Sequence, residues 1–240
     1  MSEGHEVDVV RARLDDFPDL SRFHAVLSED ERSRAAGYKL KEPGDVFVLA
    51  RGLLRLELAK RLGGDPRDVS FDVRPSGKPD VRRFDPSAPD WRFSVSHTGS
   101  HVAIAFASGI DVGIDIERLD RDVKLLHIAK RYFTSREFRA LQATPADARP
   151  TAFFAGWTRK EAIVKARGLT MAESLTTLSV DLDPRAIHPT HEDAPEAPGR
   201  PLCRLTGFLL PDQNLIGAAA LCSAQAPRLR FHMVSGARFD

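Results

Sequence analysis

Cysteine, net charge and long apolar runs are all scarce in this sequence, and each scarcity excludes a class of protein. The 240 residues include only two cysteines, Cys203 and Cys222, which excludes a disulfide framework and suits a reducing compartment. The 35 basic and 34 acidic residues nearly cancel, so the chain has no overall attraction to nucleic acid or to a membrane surface. No apolar run approaches the ~20 residues that cross a bilayer, and the opening MSEGHEVDVV lacks the features of a signal peptide. With 42% hydrophobic residues, we expect a folded, cytoplasmic α/β protein.

Hydrophobic periodicity predicts a mixture of strands and helices. The predicted strands cover residues 7–14, 69–73, 91–97, 101–107, 112–117, 175–182, 202–210, 215–223 and 228–234. The predicted helices start from a capping box at Ser28 and Glu31 and then cover residues 46–62, 124–132, 134–142 and 150–167. Short connections at 98–100 and 108–111 favour antiparallel pairing of the strands that they join, and 184–201 is predicted to be a mobile surface loop. The similarity of HVAIAFASG to LIGAAALCSA is compatible with two related halves.

The predicted strand VGIDIE carries two acids inside an otherwise apolar run. Side chains alternate along a strand, so Val112, Ile114 and Ile116 face one way, and Asp115 and Glu117 face the other. Like charges on one face repel each other, and a bound divalent cation would remove that repulsion. The spacing alone leaves a second interpretation open, which is a strand whose acidic face is solvated.

The predicted helix PTAFFAGWTRKEAIVKAR places a carboxylate and an amine beside its apolar stripe. Phe153, Trp157 and Val164 form the stripe, and Glu161 and Lys165 lie one turn apart on its flank. Such a pair suits the edge of a cleft, and it is equally typical of an ordinary helical ion pair.

Other segments carry groups that commonly bind phosphate. These groups are Ser96, His97 and Thr98 of SVSHTGS, Lys78 and Pro79 of GKP, and Arg51 on the 46–62 helix. Each of them, taken alone, is also compatible with a solvated surface position.

The order of GKP, FSVSHTG, GIDIE and WTRKEAIVKA resembles the 4′-phosphopantetheinyl transferases of the surfactin-synthetase type. The similarity in order and spacing covers about residues 28–182. It implies an α/β (α+β) fold of two similar halves with pseudo-two-fold symmetry, each a small, mostly antiparallel sheet packed with helices. It also implies a coenzyme A-binding half at 1–110, a half at 111–240 for the metal and the carrier protein, and an active site between them.

The resemblance implies a specific reaction and a set of ligands. The 4′-phosphopantetheine arm of coenzyme A would pass to a serine of an apo acyl, peptidyl or aryl carrier protein, leaving adenosine 3′,5′-bisphosphate. The implied ion is Mg²⁺, with Mn²⁺ as an alternative, and its implied ligands are Asp115, Glu117 and Glu161. The residues implied in binding coenzyme A are Arg34, Arg51, Lys78, Pro79, Ser96, His97, Thr98, Lys160 and Lys165. The resemblance further implies a monomer that serves polyketide and nonribosomal peptide biosynthesis, without nucleic acid or membrane partners.

Roles within the implied site follow from the chemistry of attack by serine. A serine hydroxyl needs a base, for which Glu161 is the first candidate and His97 the second, while Lys165 would meet the attacked phosphate. Glu31 stands where the family carries a basic residue, so Arg32 is the candidate replacement. Some members have a glutamate at the position of Glu137, but TSRE is also a capping box, which favours a structural role.

The implied carrier protein is expected to dock on residues 119–133. Lys124, Lys130 and Arg131 would steer an acidic partner there, although an ordinary amphipathic helix has the same pattern. Two other functions stay open at this point. One is a catalytically inactive module that binds carrier protein or coenzyme A, and the other is a Mg²⁺-dependent coenzyme A phosphodiesterase.

Overall fold

The computed structural model describes residues 5–75, 77–82, 89–170, 174–193 and 202–236. Its strands are β1 (Glu6–Arg13), β2 (Ser70–Val73), β3 (Pro79–Arg82), β4 (Trp91–Thr98), β5 (His101–Ser108), β6 (Val112–Arg118), β7 (Leu178–Val180), β8 (His191–Asp193), β9 (Arg204–Leu210), β10 (Leu215–Leu221) and β11 (Arg228–Val234). Its α-helices are α1 (Ser21–Ala25), α2 (Glu29–Ala36), α3 (Lys41–Leu62), α4 (Leu125–Tyr132), α5 (Ser135–Ala143) and α6 (Arg149–Arg167).

The strands of the described residues form two main sheets and two small hairpins. The first sheet has the order β11-β1-β5-β4, in which only the β1–β11 pair is parallel. The second sheet has the order β6-β10-β9 and is antiparallel throughout. The hairpins are β2–β3 and β7–β8. The α/β class with mostly antiparallel sheets is therefore confirmed, while pseudo-two-fold symmetry between the halves stays a prediction.

The chain leaves the first sheet between β5 and β6. The short connection predicted that these two strands pair with each other, and that prediction is wrong. Gly109 turns the chain with a left-handed φ of 69°, and β6 then pairs with β10 instead of β5. The short length of the connection favours a hairpin, but burial of Ile114 and Ile116 between the two sheets decides the outcome.

Three smaller predictions also need correction. The strand expected at 175–182 begins as a 3-10 turn at Leu175–Thr177, and only Leu178–Val180 pairs as a strand. The segment after GKP, expected to be turn only, forms β3 against β2. The predicted loop 184–201 contains β8, and its residues 194–201 lie outside the described part of the chain.

Helix boundaries follow the predicted caps. Ser28 and Glu31 make the capping box of α2 with both reciprocal hydrogen bonds present. Helix α3 begins before the predicted residue 46 because Pro43 fits its first turn, and it ends at Gly63 with φ 71°. Helix α6 ends at Gly168 with φ 60°, as predicted. No helix of the described residues is long and apolar enough to cross a membrane.

Helix α6 lies unusually close to β6, which brings the two sets of acidic residues together. A Cβ built on Gly113 would stand 1.9 Å from the carbonyl oxygen of Ala162 and 2.5 Å from the amide nitrogen of Ala166. Only glycine therefore allows this packing. Gly113 lies on the same face of β6 as Asp115 and Glu117, so the acidic face of the strand is the face on which α6 packs.

Candidate active site

The site lies where the edge strands of the two sheets meet. Strand β4 ends the first sheet and β6 ends the second. Three hydroxyls of β4, which we call the hydroxyl row (Ser94, Ser96 and Thr98), accept hydrogen bonds from backbone N–H groups of β6. The row satisfies donors that an edge strand otherwise leaves unpaired. The predicted alternation of β4 is confirmed, since Phe93 packs in the core on the opposite face.

Three carboxylates lie beside the contact between β4 and β6, which we call the seam. Asp115 is 6% exposed, Glu117 is 9% exposed and Glu161 is 5% exposed. Oδ1 of Asp115 accepts from the Lys165 ammonium at 2.8 Å and from the Ser96 hydroxyl at 2.8 Å. Oδ2 of Asp115 is buried and has no hydrogen-bond partner in the structure. An unsatisfied buried carboxylate oxygen is costly, so Oδ2 of Asp115 is suited to a bound cation.

The other two carboxylates have raised pKa values. Burial raises the pKa of Glu161 to about 7, and the negative charge of Asp115 adds to the effect. Burial also raises the pKa of Glu117, although hydrogen bonds from Arg121 and Thr98 oppose the shift. Thr98 donates to Oε2 of Glu117 at 2.9 Å, and Arg121 donates to the same oxygen. The cluster therefore resists carrying its full negative charge unless a cation joins it.

Lys165 connects the acids to both edge strands. Its ammonium donates to Asp115 and to the carbonyl oxygen of Ile114 at 3.2 Å, and it lies 3.5 Å from the carbonyl oxygen of Val95. The predicted helical ion pair with Glu161 is not among these contacts, since the ammonium bonds across to β6. Lys165 thus lies between the acids and the cavity described next.

A cavity of about 410 Å³ opens beside Lys165, and its walls carry several positive groups. The predicted coenzyme A residues that line it are Arg34, Arg51, Lys78, Pro79, His97 and Lys165. Apolar walls come from both halves of the chain, including Phe47, Phe93 and Leu169. Cations and aromatic rings around one cavity suit a ligand that has phosphates and a base.

Glu31 holds Arg51, one of the two arginines that line the cavity, in place. Its carboxylate accepts from Arg55 at 2.6 Å and lies 3.3 Å from Arg51, while it also caps α2. The Arg51 guanidinium stacks over the ring of Phe71 at 4.9 Å. Arg32, proposed from the sequence as a replacement for a basic residue, donates to the carbonyl of Leu27 and does not line the cavity.

Two of the lining groups sit in environments that lower their pKa. Burial lowers the pKa of Lys78, whose ammonium donates to the carbonyl oxygen of Val112 at 3.0 Å. Partial desolvation and then the charge of Lys165 lower the pKa of His97. His97 is therefore a neutral ring near pH 7, with a nitrogen available as an acceptor.

Three predicted coenzyme A residues lie away from the cavity walls. Ser96 and Thr98 are each 5% exposed, and their hydroxyls are engaged with the acids and with β6. Lys160 is 0% exposed, and its ammonium donates to Glu137 at 2.6 Å and to the carbonyl of Leu178. Lys160 is thus enclosed on the side of α6 that faces α5 and β7.

Glu137 has the structural position that its capping box predicts. It accepts from the amide of Thr134 at 2.7 Å and from the amide of Val180 at 2.8 Å, besides Lys160. The side chain is 2% exposed. Both of its oxygens are therefore occupied by protein donors, which favours the structural interpretation.

The three carboxylates are chemically suited to a hard divalent ion, although their oxygens are not arranged around a common point. Carboxylate oxygens are the ligands that Mg²⁺ prefers, and Oδ2 of Asp115 is buried without a partner. No group of three or more acidic, histidine or cysteine side chains within the described ranges has a ready metal-binding arrangement. The contact of Lys165 with Asp115 shows where positive charge is held at present.

Sequence reasoning missed two contributors to the site. Arg121 bonds to Glu117 four residues before it, and this spacing is the only signal that the sequence offers. Phe71, in the β2–β3 hairpin, packs against Arg51 of α3. Nothing in the sequence indicates that this hairpin contacts α3. A larger cavity of about 790 Å³ lies beside α5, the start of α6 and β7, but none of the predicted coenzyme A residues lines it.

Comparison with known proteins identifies the family of this chain. Residues 17–109 match the N-terminal region of 4′-phosphopantetheinyl transferases, and residues 111–201 match the 4′-phosphopantetheinyl transferase superfamily. A 4′-phosphopantetheinyl transferase of Bacillus subtilis is 33% identical over 161 residues, which cover 67% of this chain and 69% of the relative. The 4′-phosphopantetheinyl transferase HetI of Nostoc sp. is 34% identical over 218 residues, covering 90% of this chain and 87% of the relative.

A solved structure of a holo-(acyl-carrier-protein) synthase from Bacillus anthracis, in complex with CoA (3′,5′-ADP), is also similar. It shares 25% identity at a TM-score of 0.36, covering 47% of this chain and 95% of that one. The alignments with the two sequence relatives each span more than two thirds of the relative at over 30% identity, and they suffice to assign the family. The chain therefore belongs to the 4′-phosphopantetheinyl transferase superfamily.

Proposed function

We propose that this protein transfers the 4′-phosphopantetheine arm of coenzyme A to a serine of an apo carrier protein. Adenosine 3′,5′-bisphosphate is the second product. The observation that carries the proposal is the contact of Lys165 with Asp115, which joins the buried acidic cluster to the wall of the cationic cavity. A phosphate-rich ligand in the cavity would therefore place its reacting phosphate beside the acids.

Asp115, Glu117 and Glu161 would hold Mg²⁺, and Mn²⁺ would replace it. The ion would neutralise charge on the pyrophosphate and on the leaving group. The support for this assignment is the burial of all three acids, the raised pKa of Glu161 and the unpartnered Oδ2 of Asp115. The second half of the chain, residues 111–240, supplies all three of these acids.

Coenzyme A would bind with its nucleotide end in the 410 Å³ cavity. Arg34 and Arg51 would meet the 3′-phosphate, and the contact of Glu31 with Arg51 supports this role. Lys78 and Pro79 would hold the adenosine, and His97 would contact the pyrophosphate. Most of these groups come from residues 1–110, to which we assign coenzyme A binding.

Two residues of α6 would carry the proton and the developing charge. Glu161 would take the proton of the serine hydroxyl, because that hydroxyl needs a base and Glu161 is the carboxylate that α6 carries one turn from Lys165. Lys165 would leave Asp115 and stabilise the charge on the attacked phosphate. His97 is the second candidate for the base, because its lowered pKa keeps its ring neutral.

The carrier protein would dock on residues 119–133, next to the acidic strand. Lys124, Lys130 and Arg131 are exposed there, and Leu126 is a 37% exposed apolar residue between them. A basic rim around one apolar contact suits an acidic partner. We further assign the protein to the cytoplasm as a monomer, without nucleic acid or membrane partners, and to secondary metabolism.

The test is the intact mass of an apo carrier protein after incubation with this protein, coenzyme A and Mg²⁺. We expect a gain of about 340 Da, the mass of the phosphopantetheine arm, which EDTA abolishes. A gain that EDTA leaves unchanged would remove the metal from the proposal. No gain with acyl, peptidyl and aryl carriers, despite binding of coenzyme A, would instead indicate an inactive binding module.

A parallel incubation without any carrier separates the third possibility. A phosphodiesterase would release free phosphopantetheine and adenosine 3′,5′-bisphosphate from coenzyme A alone. A transferase leaves coenzyme A intact over the same period, because its nucleophile is absent. Chromatography of the nucleotides distinguishes the two results.

A further inference from the structure

Two hydroxyls of the hydroxyl row do two tasks at once. A hydroxyl has one hydrogen to donate and can accept with its lone pairs. Ser96 donates to Oδ1 of Asp115 at 2.8 Å and accepts from the amide of Ile116 at 3.2 Å. Thr98 donates to Oε2 of Glu117 at 2.9 Å and accepts from the amide of Arg118 at 3.4 Å. Each hydroxyl thus ties an acid to the strand that carries it.

Ser94 has the first task without the second. It accepts from the amide of Ile114 at 3.1 Å, in the same way as the other two hydroxyls. Within the described part of the chain, its hydroxyl donates to no carboxylate. Ser94 therefore serves as a control for the other two hydroxyls, because it joins β4 to β6 without a hydrogen bond to an acid among the described residues.

We infer that Ser96 and Thr98 are positioning residues for Asp115 and Glu117, acting through the acids and not on coenzyme A. Both side chains are 5% exposed, so neither presents a free surface to a ligand. A hydrogen bond to one oxygen fixes the rotamer of a carboxylate, and at Asp115 it leaves Oδ2 free of protein donors. This inference rests on the proposed function, because it concerns acids that we assign to the metal.

The location of the row explains why hydroxyls are needed here. Strands β4 and β6 are edges of different sheets and make no backbone ladder with each other. Backbone pairing would satisfy the N–H groups of β6 but would leave nothing to hold the acids. A side-chain hydroxyl satisfies the N–H group and still has a hydrogen for the carboxylate. The seam between the sheets thereby also becomes the support of the ligand set.

The test measures Mn²⁺ binding without coenzyme A, by loss of the free Mn²⁺ signal in electron paramagnetic resonance. The variants are Ser96→Ala, Thr98→Val and Thr98→Ser, with Ser94→Ala as the matched control. Removal of a group that orients a metal ligand commonly costs 10–100-fold in affinity, so we expect about a tenfold loss or more for Ser96→Ala and Thr98→Val. Thr98→Ser keeps the hydroxyl and should bind within about twofold of the wild type. Urea unfolding reports the accompanying loss of stability, since Ser94→Ala removes one hydrogen bond whereas Ser96→Ala and Thr98→Val each remove two.

The outcomes separate positioning from simple stability. Ser94→Ala loses only the hydrogen bond between the strands, so it should lose no more unfolding free energy than Ser96→Ala, and it should keep wild-type Mn²⁺ affinity. Equal loss of affinity in Ser94→Ala, or no loss in Ser96→Ala and Thr98→Val, would overturn the inference while leaving the proposed metal site intact. A wild-type protein that binds no Mn²⁺ would overturn both the inference and the metal part of the proposed function.

Discussion

Replacing Glu137 by alanine should lower the free energy of unfolding by more than the loss of a helix cap alone. Glu137 is 2% exposed and Lys160 is 0% exposed, and they form an ion pair at 2.6 Å. The same carboxylate accepts from the amides of Thr134 and Val180, which ties α5 to β7. The substitution therefore leaves one buried ammonium without its counter-charge and two backbone N–H groups without their acceptor.

The magnitude follows from the burial of the partner that remains. Loss of a capping side chain costs about 0.5–2 kcal/mol, whereas removal of one partner of a buried ion pair costs about 3–5 kcal/mol. Burial already lowers the pKa of Lys160, and Glu137 opposes that shift. We expect Glu137→Ala to lower the unfolding free energy by about 3–5 kcal/mol.

Urea unfolding followed by circular dichroism measures this loss, and a double variant provides the control. Glu137→Gln with Lys160→Met removes both charges while keeping a possible capping amide, so it should recover most of the stability. Transfer activity per folded molecule should stay close to wild type in that double variant. A small change in unfolding free energy together with a large loss of transfer rate would instead make Glu137 catalytic.

Three further predictions concern the acidic cluster and its lysine. Asp115→Ala should abolish transfer at millimolar Mg²⁺ with the far-ultraviolet circular dichroism unchanged; full activity would exclude Asp115 from the metal site. Lys165→Ala should lower kcat more than it raises KM for coenzyme A, and the reverse pattern in steady-state kinetics would make Lys165 a binding residue. In the metal-free protein, Glu161→Gln should become more stable relative to the wild type as pH rises. The raised pKa of about 7 means that the folded state prefers protonated Glu161, a preference lost as pH rises through 7. The stability difference between variant and wild type should grow by about 2–3 kcal/mol between pH 5 and pH 8 in urea titrations, and a difference independent of pH would contradict the burial argument.

The sequence predicts local structure well because local structure depends on local patterns. The two-residue period of VGIDIE places Ile114 and Ile116 opposite Asp115 and Glu117, and the structure confirms it. The capping box at Thr134 is likewise confirmed by both of its hydrogen bonds. Family motifs then predict most of the side chains that line the cavity, since six of the nine residues named for coenzyme A are found there.

The sequence does not predict what depends on contacts between distant elements. Lys160 and Glu161 are neighbours on α6, yet Lys160 faces α5 and β7 while Glu161 joins the acids of β6. Helix α6 is buried on most of its circumference, so no polar face marks which side faces the cleft. The two uses of Ser96 were equally hidden, because they depend on β4 and β6 meeting at the edges of two sheets.

The most direct test of the account is a crystal structure of this protein with coenzyme A and Mn²⁺, read from the anomalous signal of the ion. We predict one anomalous peak that contacts oxygens of Asp115, Glu117 and Glu161, with Lys165 moved from Asp115 to the pyrophosphate. The nucleotide should lie between Arg51 and Lys78. A peak away from these acids, or coenzyme A outside the cavity, would contradict the account.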